Sequence, residues 1–272
     1  MINRIFNIVT IIQARTGSTR LPGKVLLPAA GKPLLLQMAE RVQRSKLAGK
    51  IVIATTNESE DDVIAELCLN YDLNYFRGSK LDLLERHYKA AIEYSADIVL
   101  KIPSDCPLID PEIIDNVIEY YIMNRDKYDY VSNLHPQSYP DGNDVEVFSF
   151  NALYKAHKYA SQNYEREHTT PYIWNNPDVF NIGNYKWRTG ADLSKSYRFV
   201  LDYPADYEFI KAVYDDLYVA NNEFTLNDIL DLLSVKPFLR DINLHLNGKN
   251  WYDAFRNEFS KPVNYRKQLT RV

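Results

Sequence analysis

Cysteine is scarce in this 272-residue chain: Cys68 and Cys106 alone, with no CxxC pair and no cysteine–histidine cluster. That excludes a disulfide framework and a structural zinc site, and it points to a reducing compartment. Glycine (9) and proline (13) are too few for collagen-like or flexible low-complexity architectures. No window approaches the ~18 uncharged apolar residues of a membrane span. The apolar N-terminal stretch to Ile12 is interrupted by Asn3, Arg4 and Asn7, and no small-residue cleavage site follows. A basic surplus is missing too. Lys plus Arg is 32 against 36 for Asp plus Glu, a net charge of −4, so there is little to hold a nucleic acid by counterion release. These absences predict a cytoplasmic protein with neither a membrane nor a nucleic acid as partner, while local cations and backbone N–H groups can still bind a small phosphate.

What is present is ordinary globular material, 46% apolar and 13% aromatic, enough for one large domain at roughly 150 residues per domain. The first half alternates β-branched runs with amphipathic stretches, the pattern of βα units on a mainly parallel sheet. Strands are expected at Ile5–Ile12, Ile51–Ala54, Asn74–Phe76 and Asp97–Lys101. Helices are expected at Pro33–Ser45, Glu60–Leu69, Leu81–Tyr94 and Pro111–Met123. After Tyr128–Ser132 comes a long loop, Asn133–Asp144, before a strand from Val145. Helices near Phe150–Ala160 and Tyr164–Trp174, strands near Val179–Ile182 and Tyr197–Leu201, and a helix Asp206–Tyr218 complete a body over residues 1–220. Residues 221–272 read as a helical appendage, with Trp251, Tyr252 and Phe255 at helical spacing for packing on the same chain or for an oligomer contact.

The loop Gln13–Lys24 follows the first strand and precedes a helix, where α/β sheets bind ligands. Gly17 and Gly23 let backbone N–H groups approach phosphate oxygens, and Arg15, Arg20 and Lys24 can neutralise them. A solvated basic turn is the plainer reading. It is not a Walker loop, because five residues separate the glycines and Val25 follows Lys24. A GxGxxG fingerprint is absent from it as well. Asp105 directly follows the strand Asp97–Lys101, a position suited to holding Mg²⁺ over phosphates, or simply to organising a turn. Asp202 repeats that pattern after Tyr197–Leu201, and reads equally as part of the N-cap of the helix after Pro204. Arg77 and Ser79 end the third strand within reach of a ribose or base edge, or merely turn the chain into a helix. Asp144, Glu146 and His168 are candidates for an acceptor pocket. His168 has no cysteine, serine or second histidine at triad or metal spacing, so a structural role is the other reading.

The stretch Ile11-Ile12-Gln13-Ala14-Arg15-Thr16-Gly17-Ser18-Thr19-Arg20-Leu21-Pro22-Gly23-Lys24, with Gly31-Lys32-Pro33-Leu34 after it, resembles the start of the SpsF-like cytidylyltransferase family, and more distantly the KDO and acylneuraminate cytidylyltransferases. Further matching blocks follow in order: Ala54-Thr55-Thr56, Phe76-Arg77-Gly78-Ser79, Asp105-Cys106-Pro107-Leu108-Ile109-Asp110-Pro111, Tyr139-Pro140-Asp141-Gly142, Asp144-Val145-Glu146-Val147-Phe148, Glu165-Arg166-Glu167-His168 and Leu201-Asp202-Tyr203-Pro204. The resemblance implies a GT-A-like nucleotidyltransferase fold, an α/β three-layer sandwich with a mixed, mostly parallel central sheet. It implies CTP-dependent transfer of CMP to an acidic sugar or polyol acceptor, with Mg²⁺ as cofactor, in surface-polysaccharide synthesis. Related enzymes are commonly homodimers.

By position, the resemblance gives the triphosphate to Ala14, Arg15, Gly17, Ser18, Arg20 and Lys24, and cytidine to Thr55, Arg77 and Ser79. Mg²⁺ falls to Asp105 and Asp202, and the acceptor to Asp144, Glu146 and His168. Lys24, Arg15 and Asp105 are the expected catalytic groups. Two alternatives share such a fold or site. A nucleotide-sugar-dependent glycosyltransferase usually carries Asp-x-Asp where this chain has Ser104-Asp105-Cys106; a nucleotide-binding module without turnover would not need the pair Asp105 and Asp202.

Overall fold

The apolar run Ile8–Gln13 forms strand β1, the third strand of a seven-stranded sheet, in a computed structural model that describes residues 6–249. A short hairpin of β2 (Pro28–Ala29) and β3 (Lys32–Pro33) follows, then α1 (Leu34–Gln43), β4 (Lys50–Thr56), α2 (Asp62–Asn70) and β5 (Asn74–Gly78). Next come α3 (Leu83–Glu93), β6 (Ile98–Pro103), α4 (Pro111–Met123), β7 (Tyr130–Ser132) and β8 (Glu146–Ser149). The chain continues through α5 (Phe150–Tyr159), α6 (Asn163–His168), α7 (Pro171–Trp174) and β9 (Ile182–Asn184) to α8 (Pro204–Leu217), α9 (Leu226–Val235) and α10 (Phe238–Asp241).

The sheet order is β5-β4-β1-β6-β8-β7-β9, and only β8 runs against the rest. The mixed, mostly parallel sheet expected from the resemblance is therefore present. Strand residues alternate between two cores: Ile12, Ile53 and Leu100 join the side covered by α1, α4 and α8, whereas Ile11, Val52 and Val99 join the side covered by α3 and α5. With both faces covered, the central strands are apolar nearly throughout, as buried parallel strands must be. The chain runs outward from β1 to β4 and β5, then returns to β6 on the other side of β1. Gln13 lies beside Pro103 in that pairing, so the loops after β1 and β6 diverge and leave a crevice at the strand ends.

Three expectations need correction. Tyr197–Leu201 is not a strand. Residues 198 to 201 are all buried, the last three an apolar run like that of a buried strand, but the segment crosses loop ends and bonds to them: Phe199 N–H donates to Asp141 O (2.7 Å) and Leu201 N–H to Asp105 O (2.7 Å). The single helix Tyr164–Trp174 is two, broken at Thr169, whose φ of 72° cannot continue a helix. The strand near Val179 begins only at Ile182.

Residues 221–249 are built onto the body. Leu226, Ile229, Leu233 and Leu239 share the core of α8, and the Arg41 guanidinium lies 4.3 Å from the centre of the Phe224 ring. Asp110 caps α4 through Oδ1, accepting from Glu112 N–H (2.8 Å), and with Oδ2 it accepts from Leu226 N–H (2.6 Å) at the start of α9. Trp251, Tyr252 and Phe255 lie outside the described residues.

Candidate active site

The loop after β1 is pinned from below and open above. Asp61, fully buried, accepts from Thr16 N–H and Oγ1 (2.7 Å each) with Oδ1 and from the Thr56 hydroxyl with Oδ2. Burial alone would raise its pKa, but these hydrogen bonds outweigh it and hold the carboxyl below the usual range. Ala14 N–H is bound to Ala54 O (3.0 Å), and Gly23 N–H closes the loop on Thr16 O (2.8 Å). Arg15, Gly17 and Arg20 are left exposed, and Ser18, half-buried, accepts weakly from Leu21 N–H (3.4 Å). A φ of 67° at Gly23 then turns the chain into the single turn that starts at Lys24.

From there Lys24 reaches across the crevice. Its Nζ donates to Leu201 O (2.7 Å) and Asp202 Oδ1 (2.8 Å), and lies 3.5 Å from Asp105 Oδ2. Burial would lower its pKa, yet the two carboxylates raise it above the ordinary lysine value, so it stays charged. Asp105 and Asp202, 97 residues apart in sequence, thus share one cation, and Arg20 Nη2 bonds Asp202 Oδ1 as well (2.8 Å).

Asp202 is oriented from behind by residues that sequence reasoning missed. Fully buried Asp206 accepts from the N–H groups of Asp202 and Tyr203 (3.0 Å each) and takes the Arg198 guanidinium with both oxygens (2.9 and 3.1 Å). Asn243 donates to Asp206 Oδ1 (3.0 Å) and to Arg198 O (2.9 Å), while Arg198 Nη1 donates to Lys249 O (2.8 Å). The available signal was Pro204 followed by Asp206, since an acidic residue at the third helical position caps the turn before it. Gly142 lets a further carboxylate approach: its φ is 101°, and a Cβ there would come within 2.6 Å of the Phe199 carbonyl carbon. Asp141, beside it, lies 3.3 Å from Arg198 Nη1. Burial pushes the Asp141 carboxyl up to about 6, tempered by Arg198.

Of the residues expected to line an acceptor pocket, Asp144 is half-buried, and burial together with Asp141, Asp105 and Glu146 raises its pKa well above normal. Glu146 faces inward, ion-paired with Lys101 and accepting from Tyr130 Oη (2.6 Å). His168 stands near that pair and Arg15, and burial first, then Lys101, pushes its pKa down to about 3, so its imidazole is neutral.

The cytidine candidates divide. Arg77 is spent on its own chain, donating to Thr56 O (2.9 Å) and Glu58 O (3.0 Å) and pairing with Asp62 (2.6 Å). Ser79 accepts from Asp82 N–H (3.1 Å) at the start of α3. Thr55 is fully buried, and its hydroxyl has no partner among the described residues. Nor do the Gln13 Oε1 acceptor and the Nε and Nη1 donors of Arg86, a residue only 3% exposed. Burial, then Arg15, pushes Arg86 down to about 10. Gln13 ends β1, Thr55 is the next-to-last residue of β4, and the Arg86 side chain lies against Gly78 at the end of β5. Buried polar groups are rarely left unpaired; by strand alternation Gln13, two residues after Ile11, lies on the α3 side of the sheet with Arg86, whereas Thr55, two residues after Ile53, faces the other core. Arg86 was missed because an arginine on a helix carries no motif signal.

Crevice, basic loop and carboxylate pair together define a nucleotide-binding α/β transferase site. The family model for cytidylyltransferases matches residues 9–230, and the chain belongs to that family. It is 33% identical to the spore coat polysaccharide biosynthesis protein SpsF of Bacillus subtilis, over 85% of this chain and 95% of that one. It is 37% identical to the uncharacterized protein MJ1063 of Methanocaldococcus jannaschii, over 91% and 98%. Among solved structures, a cytidylyltransferase from Leptospira borgpetersenii superposes with a TM-score of 0.82 at 32% identity, covering 91% of this chain and all of that one.

Proposed function

We propose that the protein transfers CMP from CTP to a hydroxyl of an acidic sugar, or of a related sugar or polyol, with Mg²⁺ and release of pyrophosphate, for surface-polysaccharide synthesis. The observation that carries this reading is the meeting of Lys24, Asp105 and Asp202 in the crevice below an exposed basic loop. In the reaction the acceptor oxygen bonds to the α-phosphorus of CTP, the bond to the α,β-bridging oxygen breaks, and the hydroxyl proton is lost. Phosphoryl chemistry of this kind asks the protein mainly for position and charge. Arg15, Arg20 and the loop N–H groups would bind the β- and γ-phosphates and stabilise charge on the leaving pyrophosphate. Arg86 and Gln13 would read the base, with the guanidinium donating to the carbonyl and ring-nitrogen acceptors of cytosine.

The residues present fit a magnesium ion. Asp105 and Asp202 already share a cation, their oxygens are hard donors, and Mg²⁺ takes one or two carboxylates with phosphate oxygens. Among the described residues no three His, Cys, Asp or Glu side chains are grouped to hold a metal unaided, so the other ligands belong to triphosphate and water. Bound there, the ion supplies polarisation of the α-phosphate and a lower pKa for the attacking hydroxyl. Asp144, Glu146 and His168 would line the acceptor side, with Glu146 fixing Lys101 rather than touching the sugar.

The test is calorimetric titration of each nucleoside triphosphate with Mg²⁺, followed by a pyrophosphate-release screen over acidic sugars and polyols. Selective CTP binding with release in one acceptor well establishes the reaction. Preferential binding of nucleotide-sugars would replace it with glycosyl transfer.

A further inference from the structure

Lys24 is expected on the triphosphate, yet in the free protein its ammonium lies on the carboxylates. The side chain is 12% exposed, and its Nζ contacts Asp202 Oδ1 (2.8 Å), Asp105 Oδ2 (3.5 Å) and Leu201 O (2.7 Å). Asp202 Oδ1 also receives Arg20, and Asp202 Oδ2 faces Arg198 Nη2 at 3.7 Å. Asp105, Asp202 and Asp206 therefore meet three cations of the same chain, Arg20, Lys24 and Arg198. Asp105 Oδ2 and Asp202 Oδ1, two oxygens a divalent ion would use, hold Lys24, and with Asp141 beside Arg198 the three cations face four carboxylates. Mg²⁺ requires those oxygens at about 2.0–2.1 Å, and an ammonium hydrogen-bonded to the same atoms cannot remain beside it.

We propose that Lys24 is the resident counter-ion of the Asp105–Asp202 pair, and that the pair accepts a divalent cation only when this ammonium has moved onto a polyphosphate. The proposal rests on the reading of the site as a nucleoside-triphosphate transferase for the identity of that polyanion. Metal and nucleotide then bind interdependently. A divalent ion alone meets carboxylates that already hold a cation, whereas a triphosphate draws Arg20 and Lys24 away and exposes the carboxylates as it arrives. The flexible four-carbon stem of Lys24, set just after Gly23, allows the swing.

Nucleotide-free protein titrated with Mn²⁺ alone, with free Mn²⁺ followed by electron paramagnetic resonance, tests this directly. Lys24→Met should bind Mn²⁺ about tenfold or more tightly than the wild type, and Lys24→Arg should stay close to the wild type. The gain should vanish in Lys24→Met/Asp202→Asn, which places it at this carboxylate pair. Equal Mn²⁺ affinity in wild type and Lys24→Met overturns the proposal, as does a gain that survives Asp202→Asn. Lys24→Gln, checked by circular dichroism, serves if the methionine variant does not fold. No nucleotide enters these titrations, so a protein that fails to select CTP would refute the proposed reaction without touching the result.

Discussion

Asp105 has a half-exposed carboxylate at the end of β6 and packs little, so its chemistry can be removed without removing the fold. Asp105→Asn should reduce Mg²⁺-dependent pyrophosphate release to background while the urea unfolding midpoint stays put; unchanged turnover would take Asp105 out of the metal site. Arg86 is the opposite kind of residue, buried and holding two unused donors. Hydrogen bonds from a charged group contribute about 1.5–3 kcal/mol. Arg86→Met should therefore weaken CTP binding by about tenfold or more while leaving inorganic tripolyphosphate binding nearly unchanged, as measured by calorimetry. An equal loss for both ligands would make Arg86 a phosphate or scaffold residue.

At the scale of elements, the carboxylate that matters is held by the turn into α8. Asp206 ties that turn to Arg198 and Asn243, and breaking a buried pair from one side typically costs about 3–5 kcal/mol. Asp206→Asn should lower stability by about that amount in urea denaturation, and a change under about 1 kcal/mol would show that the turn holds itself. None of this was visible in the motif Leu201-Asp202-Tyr203-Pro204, because an ion pair across eight residues depends on a backbone path that periodicity does not encode. The βα rhythm of the first half was legible, since buried parallel strands and amphipathic helices impose different periods. Tyr197–Leu201 misled for a related reason: a short buried apolar run leaves one pattern whether the backbone bonds to a strand or to loop carbonyls. Arg77 misled differently. Its place at a strand end was right, but the guanidinium folds back onto the β4–α2 corner.

For the whole molecule, acid is the natural stress. His87 is fully buried, and burial first, against the help of the Leu83 carbonyl, pushes its pKa down to about 3. In the unfolded chain it titrates near 6.5, so between those values the unfolded state binds the extra proton. Stability is then full above pH ~6.5 and is lost as pH falls toward about 3, at up to ~1.4 kcal/mol per pH unit from this group. Urea denaturation of the wild type at pH 7.5, 6 and 5 should show that fall, and His87→Gln should make it shallower, His168 supplying part of what is left; equal slopes would mean that His87 is not protonated on unfolding. No described helix is long and apolar enough to cross a membrane, and the fold is held by its two cores.

The bonds from Lys249 O to Arg198 and from Asn243 to Asp206 also bear on how the protein is made. A ribosome delivers the chain from its N-terminus, so the loop around Lys24 emerges before residue 249, and the support behind Asp202 is complete only once residue 249 has left the exit tunnel. Until then the turn that orients Asp202 lacks the bonds from Lys249 to Arg198 and from Asn243 to Asp206.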